Sequence, residues 1–183
     1  AKVWKLYTTD AYEMDGYYRH FHFSFGNTLK SPNALLEDAL KKCSDVVEGL
    51  YREWFLKQLT LTWTKAIAGD LDSLGYVSEI NEQRRFYNRY VSPNMSKSNR
   101  VFVVISDALR YEVAAELSEV LNHNTKGKAT LESMQAVFPS ITKFGMAALL
   151  PGKEVSANDK IEVFVDGNPT TSTAQRGAIL NVA

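Results

Sequence analysis

Two side chains in this sequence stand where chemistry could be done: Asp107, which closes the stretch VFVVISD, and Thr142, which closes VFPSIT. A carboxylate is a ligand for hard cations, and a threonine hydroxyl, a poor nucleophile at neutral pH, is activated in one standard way by metal coordination. Both follow an apolar run and precede a helical pattern, so each reads as the residue between a strand's carboxyl end and a helix. Open α/β sheets place their ligands there, and the free amides of a helix start favour a phosphoryl group. A carboxylate and a hydroxyl at adjacent strand ends make half of a metal-assisted phosphoryl-transfer site. Each also has an ordinary reading as a helix cap, Asp107 through its carboxylate and Thr142 through its hydroxyl or an ST-turn after Pro139, and pattern alone favours the cap. Ser140, earlier in the same loop, is the competing nucleophile.

The elements that would position these residues follow from periodicity. Val101–Ile105 is an unbroken, mostly β-branched apolar run, which suits a central parallel strand covered on both faces. Leu109, Val113, Leu117, Val120 and Leu121 then fall on one face of a helix over about 108–121. Residues 129–137 form a second strand, expected to pair with Val101–Ser106 in parallel through a right-handed crossover. A helix over 142–150 stops at Pro151-Gly152, Ile161–Val165 is a third strand, and 174–182 is again helical. The fold class is therefore α/β, a partial parallel sheet with helices.

Ahead of that sheet the chain reads as helix. Residues 1–30 are dense in aromatics. His20 and His22 would share a face on a strand and could seed a metal site, but no Cys or further His lies near in sequence, which favours ordinary half-buried packing. From a start at Pro32 to about Thr64, Leu36, Leu40, Cys43, Val47, Leu50 and Trp54 follow a heptad-like seam, with intramolecular packing as the default and a partner helix as the alternative. A second helix over 77–91 carries Arg84, Arg85 and Arg89, a basic patch for a nucleic-acid backbone or, by default, a solvated face. The polar stretch from Ser92 to Asn99 suggests a boundary between a helical segment, 1–95, and a second domain, 96–183.

Composition narrows the function classes. Lys and Arg total 21 against 21 Asp and Glu, so no global charge draws the chain to nucleic acid or to an anionic membrane, although local patches remain. The chain lacks an apolar run long enough to span a bilayer and begins without a secretory core, so no membrane partner is expected. The single cysteine, Cys43, excludes an internal disulfide and fits a cytoplasmic protein. Neither G-x-G-x-x-G nor G-x-x-x-x-G-K-[ST] occurs, which removes the support for a Rossmann or Walker-type nucleotide site.

Longer motifs narrow it further. VFVVISDALRYEVAAEL followed by AVFPSITKFGMAALLPG resembles the PglZ domain, the alkaline-phosphatase-superfamily component of bacterial BREX phage-defence systems, and VDGNPTTSTAQRGAIL looks like a third stretch of that family. The resemblance implies a metal-dependent phosphohydrolase or phosphodiesterase. Asp107 would ligate metal, and Thr142 would both bind metal and attack phosphorus. The implied cofactor is a divalent metal, zinc in a two-metal site of the full-length protein, and the implied partners are other defence-system proteins. The alternative is a non-catalytic binding and assembly module of the same complex. Related phosphodiesterases place a phosphate-contacting Asn three residues after the nucleophile, where this chain has Gly145; Lys143 is the substitute substrate-binding candidate.

The superfamily site also needs Asp and His ligands from later strands, yet His20, His22 and His123 all precede Thr142. The expectation is an N-terminal piece of a longer protein, inactive alone, with its remaining ligands beyond Ala183. Its open sheet edge would favour self-association.

Overall fold

The computed structural model describes residues 2–30, 34–95 and 100–182. The start assigned to Pro32 and the stretch 96–99 within the suggested boundary lie outside them. The chain forms two compact units, one of Ala1–Gly75 with Leu109–Glu132, the other of Tyr76–Ala108 with Ser133–Ala183.

The first unit is helical, and its aromatic density is packing. Helix α1 (Lys2–Leu6) passes through π-helical turns at Tyr7–Ala11 into α2 (Tyr12–Thr28); α3 (Ala34–Glu48) passes through π-helical turns at Gly49–Leu56 into α4 (Lys57–Leu74). Helix α5 is Tyr111–Asn124. Trp4 lies against Trp63 with ring centroids 5.7 Å apart, Tyr18 stacks on Tyr51 at 3.7 Å, and Tyr12 meets the edge of Tyr111 at 5.3 Å. Buried Asp15 accepts hydrogen bonds from the phenols of Tyr7 and Tyr51. Gly75 ends α4 in the left-handed conformation, at φ 74°, where a side chain would be strained.

The expected intramolecular seam does not form. Leu36, Cys43, Leu50 and Trp54 are exposed, and the buried positions are Tyr51 and Ile67. The wider π-helical turns take more residues per turn than an α-helix, so the face presented at Leu40 and Val47 is not carried on to Leu50 and Trp54. The stack on Tyr18 and the bond to Asp15 select Tyr51 instead.

The second unit mixes helix with a small sheet, in keeping with the α/β expectation at the level of class. Its core joins α6 (Thr142–Ala148), Leu150 and β2 (Val163–Val165): Ala147, Val163 and Val165 are almost fully buried, with Phe144 and Ile179 packed against them. Strand β2 pairs antiparallel with β1 (Val155–Ala157) on one side and β3 (Asn168–Pro169) on the other. Asp166 and Gly167 turn β2 into β3 with φ of 47° and 77°, the positive pair that an Asp-Gly hairpin turn needs. Helix α7 (Thr173–Leu180) begins with a capping box, Ser172 accepting from the Gln175 amide and the Gln175 side chain accepting from the Ser172 amide.

The parallel pairing is corrected. Neither Val101–Ser106 nor 129–137 forms a regular strand, and the one parallel link among the described residues is a bridge between Glu82 and Gln135. The physical reason is local. The Asp-Gly turn closes β2 on β3 across a short loop. Residue Gln135 is taken by the segment 77–83, and Val101–Ile105 joins no strand, with Phe102 and Val104 exposed.

Candidate functional site

The two residues singled out by chemistry meet. Thr142 Oγ1 donates a hydrogen bond of 3.1 Å to Asp107 Oδ2, and both side chains are exposed. Neither acts as a helix cap. Helix α5 begins at Tyr111 with Arg110 at the cap position, and α6 is preceded by Ile141, whose side chain makes no capping bond. Asp107 stands in a turn with Ala108, a non-glycine residue held at φ 59°; backbone strain of this kind persists where surrounding structure enforces it and clusters at functional sites.

Thr142 is the first residue of α6, and the preceding loop is fixed by backbone and amide bonds. Ile141 N donates to Pro139 O at 2.9 Å, then Phe144 N and Gly145 N both donate to Ile141 O at 3.0 Å. The Gln83 side chain spans loop and helix, accepting from Val137 N at 3.2 Å and donating to Gly145 O at 3.4 Å. Buried Gln135 grips the segment before it, accepting from Val77 N at 2.8 Å and donating to Val77 O at 2.7 Å and Ile80 O at 2.9 Å. Sequence reasoning missed both glutamines. The available signal was Gln135 itself, a polar residue in the otherwise apolar stretch MQAVF, since a buried amide needs backbone partners.

The other candidates are placed as follows. Lys143 donates from Nζ to Ile161 O at 3.1 Å. A side chain at Gly145 would have its Cβ 3.4 Å from Gln83 Nε2, in ordinary contact with an amide already present. Ser140 is exposed in the loop ahead of α6. His20 and His22 lie on helix α2, not on a strand, and at that spacing they address different carboxylates: His20 Nε2 is 3.5 Å from Glu116 Oε2, and His22 Nε2 is 3.2 Å from Glu48 Oε1. Among the acids after Thr142, Asp166 accepts from the amides of Lys153 and Glu154, and Glu162 accepts from the Asn158 side chain at 2.6 Å.

The donor set fits part of a metal site. Two oxygens bound to one Mg²⁺ at about 2.1 Å in an octahedron are about 3.0 Å apart, and two on a tetrahedral Zn²⁺ about 3.3 Å. The separation of 3.1 Å between Thr142 and Asp107 lies in that range, so the pair can share a cation without rearrangement. Among the described residues, no three His, Cys, Asp or Glu side chains stand close enough to hold a metal. Two donors alone are fewer than either metal takes.

Residues 86–183 match the model of the BREX system PglZ alkaline phosphatase-like domain. The chain is 36% identical, over 98% of its length, to the alkaline phosphatase-like protein PglZ of Bacillus cereus (strain H3081.97). It is 35% identical, again over 98% of its length, to the alkaline phosphatase-like protein BrxZ of Escherichia coli O9:H4 (strain HS). It covers 20% and 21% of those two proteins, so it spans about a fifth of the curated relatives it matches. No solved structure gives a significant match. No helix among the described residues is long and apolar enough to cross a membrane.

Proposed function

Because the chain belongs to the PglZ family of BREX-system alkaline phosphatase-like domains, we propose that it carries the nucleophile and a metal ligand of a divalent-metal-dependent phosphohydrolase or phosphodiesterase acting in phage defence. The observation that supports this reading is the hydrogen bond between Thr142 and Asp107, made at the start of α6 with both groups open to solvent and neither serving as a cap. Asp107 would hold the cation through its carboxylate. Thr142 attacks phosphorus through Oγ1, losing its proton to solvent and forming a phosphothreonine as the ester's leaving oxygen departs and takes a proton from solvent; water then cleaves the phosphothreonine, regenerating the hydroxyl and releasing phosphate or monoester. A divalent cation bound there would supply the charge that makes the hydroxyl a competent nucleophile and offsets the negative charge developing on phosphorus oxygens.

Zinc is the proposed metal, in a two-metal site whose remaining ligands would come from outside this chain, which spans about a fifth of its curated relatives. Other defence-system proteins are the proposed partners, and the cytoplasm the proposed location. Lys143 is a secondary candidate for a substrate contact once released from Ile161. The open apolar side chains of Phe102 and Val104 support self-association of the isolated chain.

The test is metal stoichiometry in a full-length family member containing this chain. The enzyme reading expects tight binding of two divalent ions, lowered in Asp107→Asn without loss of folding, because Asn keeps the shape of Asp and removes its charge. A wild-type protein that binds no divalent metal would leave the binding-and-assembly reading in its place.

A further inference from the structure

Within the second unit, the expected helix over 77–91 is reduced to short helical turns at Gln83–Arg85 and Tyr87–Val91, and residues 76–90 line a pocket of about 300 Å³ that the reading above does not use. Two half-buried tyrosines, Tyr76 and Tyr90, line it, and guanidinium groups lie against both rings: Arg84 is 5.4 Å from the centroid of Tyr76, and Arg89 is 5.5 Å from that of Tyr90. Glu82, its side chain only 10% exposed, holds Arg84 Nε at 2.5 Å and Arg85 Nε at 2.9 Å. Arg89 donates to the Asn81 side-chain oxygen. The wall is pre-formed. Asn81 O accepts from Gln135 N at 2.7 Å, Ile80 O from the Gln135 side chain, and Glu79 is fixed at φ 64° on the rim.

The mixture of groups selects the ligand class. Glu79 and Glu82 face the same space as Arg85 and Arg89, which disfavours a bare anion. A nucleotide unit meets this mixture, with phosphate on the N–H groups of Arg85 and Arg89 not engaged by Glu82 and Asn81, base-edge N–H donors on Glu79 and the remaining lone pairs of Glu82 and Asn81, and a planar ring for the tyrosines. A pocket of this volume lies at the small end of the range for such ligands. We infer that the pocket lined by Tyr76, Asn81, Arg85, Arg89 and Tyr90 binds a nucleotide unit, either free or within a single strand. This binding is independent of Asp107 and Thr142, so it stands or falls apart from the phosphatase reading.

The experiment is fluorescence anisotropy of the chain with a short labelled oligothymidylate at low salt, competed with AMP or inorganic phosphate. Binding displaced by AMP at concentrations where phosphate has no effect is expected. Comparable affinity for AMP and oligonucleotide identifies a free nucleotide; a much tighter oligonucleotide identifies a strand. Tyr90→Leu, which keeps apolar bulk beside Phe86, should weaken binding about fivefold or more. Arg89→Gln should reduce the salt dependence by about one phosphate contact. If Tyr90→Leu lowers the unfolding temperature, Tyr76→Leu serves in its place. Absence of binding by the wild-type chain, displacement by phosphate as effective as by AMP, or equal binding by a folded Tyr76→Leu/Arg89→Gln variant would overturn the assignment.

Discussion

The Thr142 hydroxyl has one observed acceptor, the carboxylate of a residue 35 positions away, so the bond ties the turn at Asp107 to the start of α6. Other single residues hold this arrangement by fit. Gly152 has no room for a side chain: a Cβ there would lie 2.2 Å from Val165 Cγ1 and 3.2 Å from Asp166 Oδ2. Since Val165 is at the bottom of the core, Gly152→Ala forces β2 away from the segment carrying Lys153 and Glu154. The expected loss is about 1–3 kcal/mol, read as a lower urea midpoint with an unchanged slope. In the first unit, Asp15→Ala strips the acceptor from the Tyr7 and Tyr51 phenols. Taking the acceptor from the buried Tyr51 hydroxyl, which would keep only Arg110 beside it, should cost about 1–3 kcal/mol in the same measurement.

At the scale of elements, helices with strong local signals were legible and pairings were not. Helix α6 begins at Thr142 because Pro139 and the short loop after it stop any earlier helix, and that start is written in the sequence. Strand β2 falls inside the stretch read as a strand from Ile161 to Val165. Its partner β3 was overlooked, although Asp166-Gly167 is a hairpin signal in its own right. The run Val101–Ile105 looked like a central strand because its residues are apolar, but composition does not specify which strand lies beside it. The meeting of Asp107 and Thr142 was anticipated through parallel pairing; the structure achieves it without that pairing, by a strained turn at Ala108 and a loop gripped by Gln83 and Gln135. Elements stabilised by local bonds should respond to local changes. Ser172→Ala removes one half of the α7 capping box and is expected to cost about 1 kcal/mol, visible as a downward shift in the thermal midpoint.

For the whole molecule, ionisation of the first unit's tyrosines links stability to pH. Burial, then the hydrogen bond to Asp15 and its charge, push the Tyr7 and Tyr51 phenols well above their ordinary value. The folded state therefore holds these protons more tightly than the unfolded chain. Their contribution is intact below the unfolded tyrosine value of about 10 and is lost as pH rises beyond it. Chemical denaturation from pH 8 to about 11 should show stability falling at the alkaline end, and the fall should shrink in Tyr7→Phe. The central claim concerns chemistry proposed for proteins of which this chain spans about a fifth, so it is best tested in one of that full length. In a zinc-loaded full-length family member containing this chain, hydrolysis of a chromogenic phosphodiester should fall to background in Thr142→Ala, while Ser140→Ala retains substantial turnover. Wild-type turnover by Thr142→Ala, with Ser140→Ala inactive, would contradict the account and move the nucleophile two residues upstream.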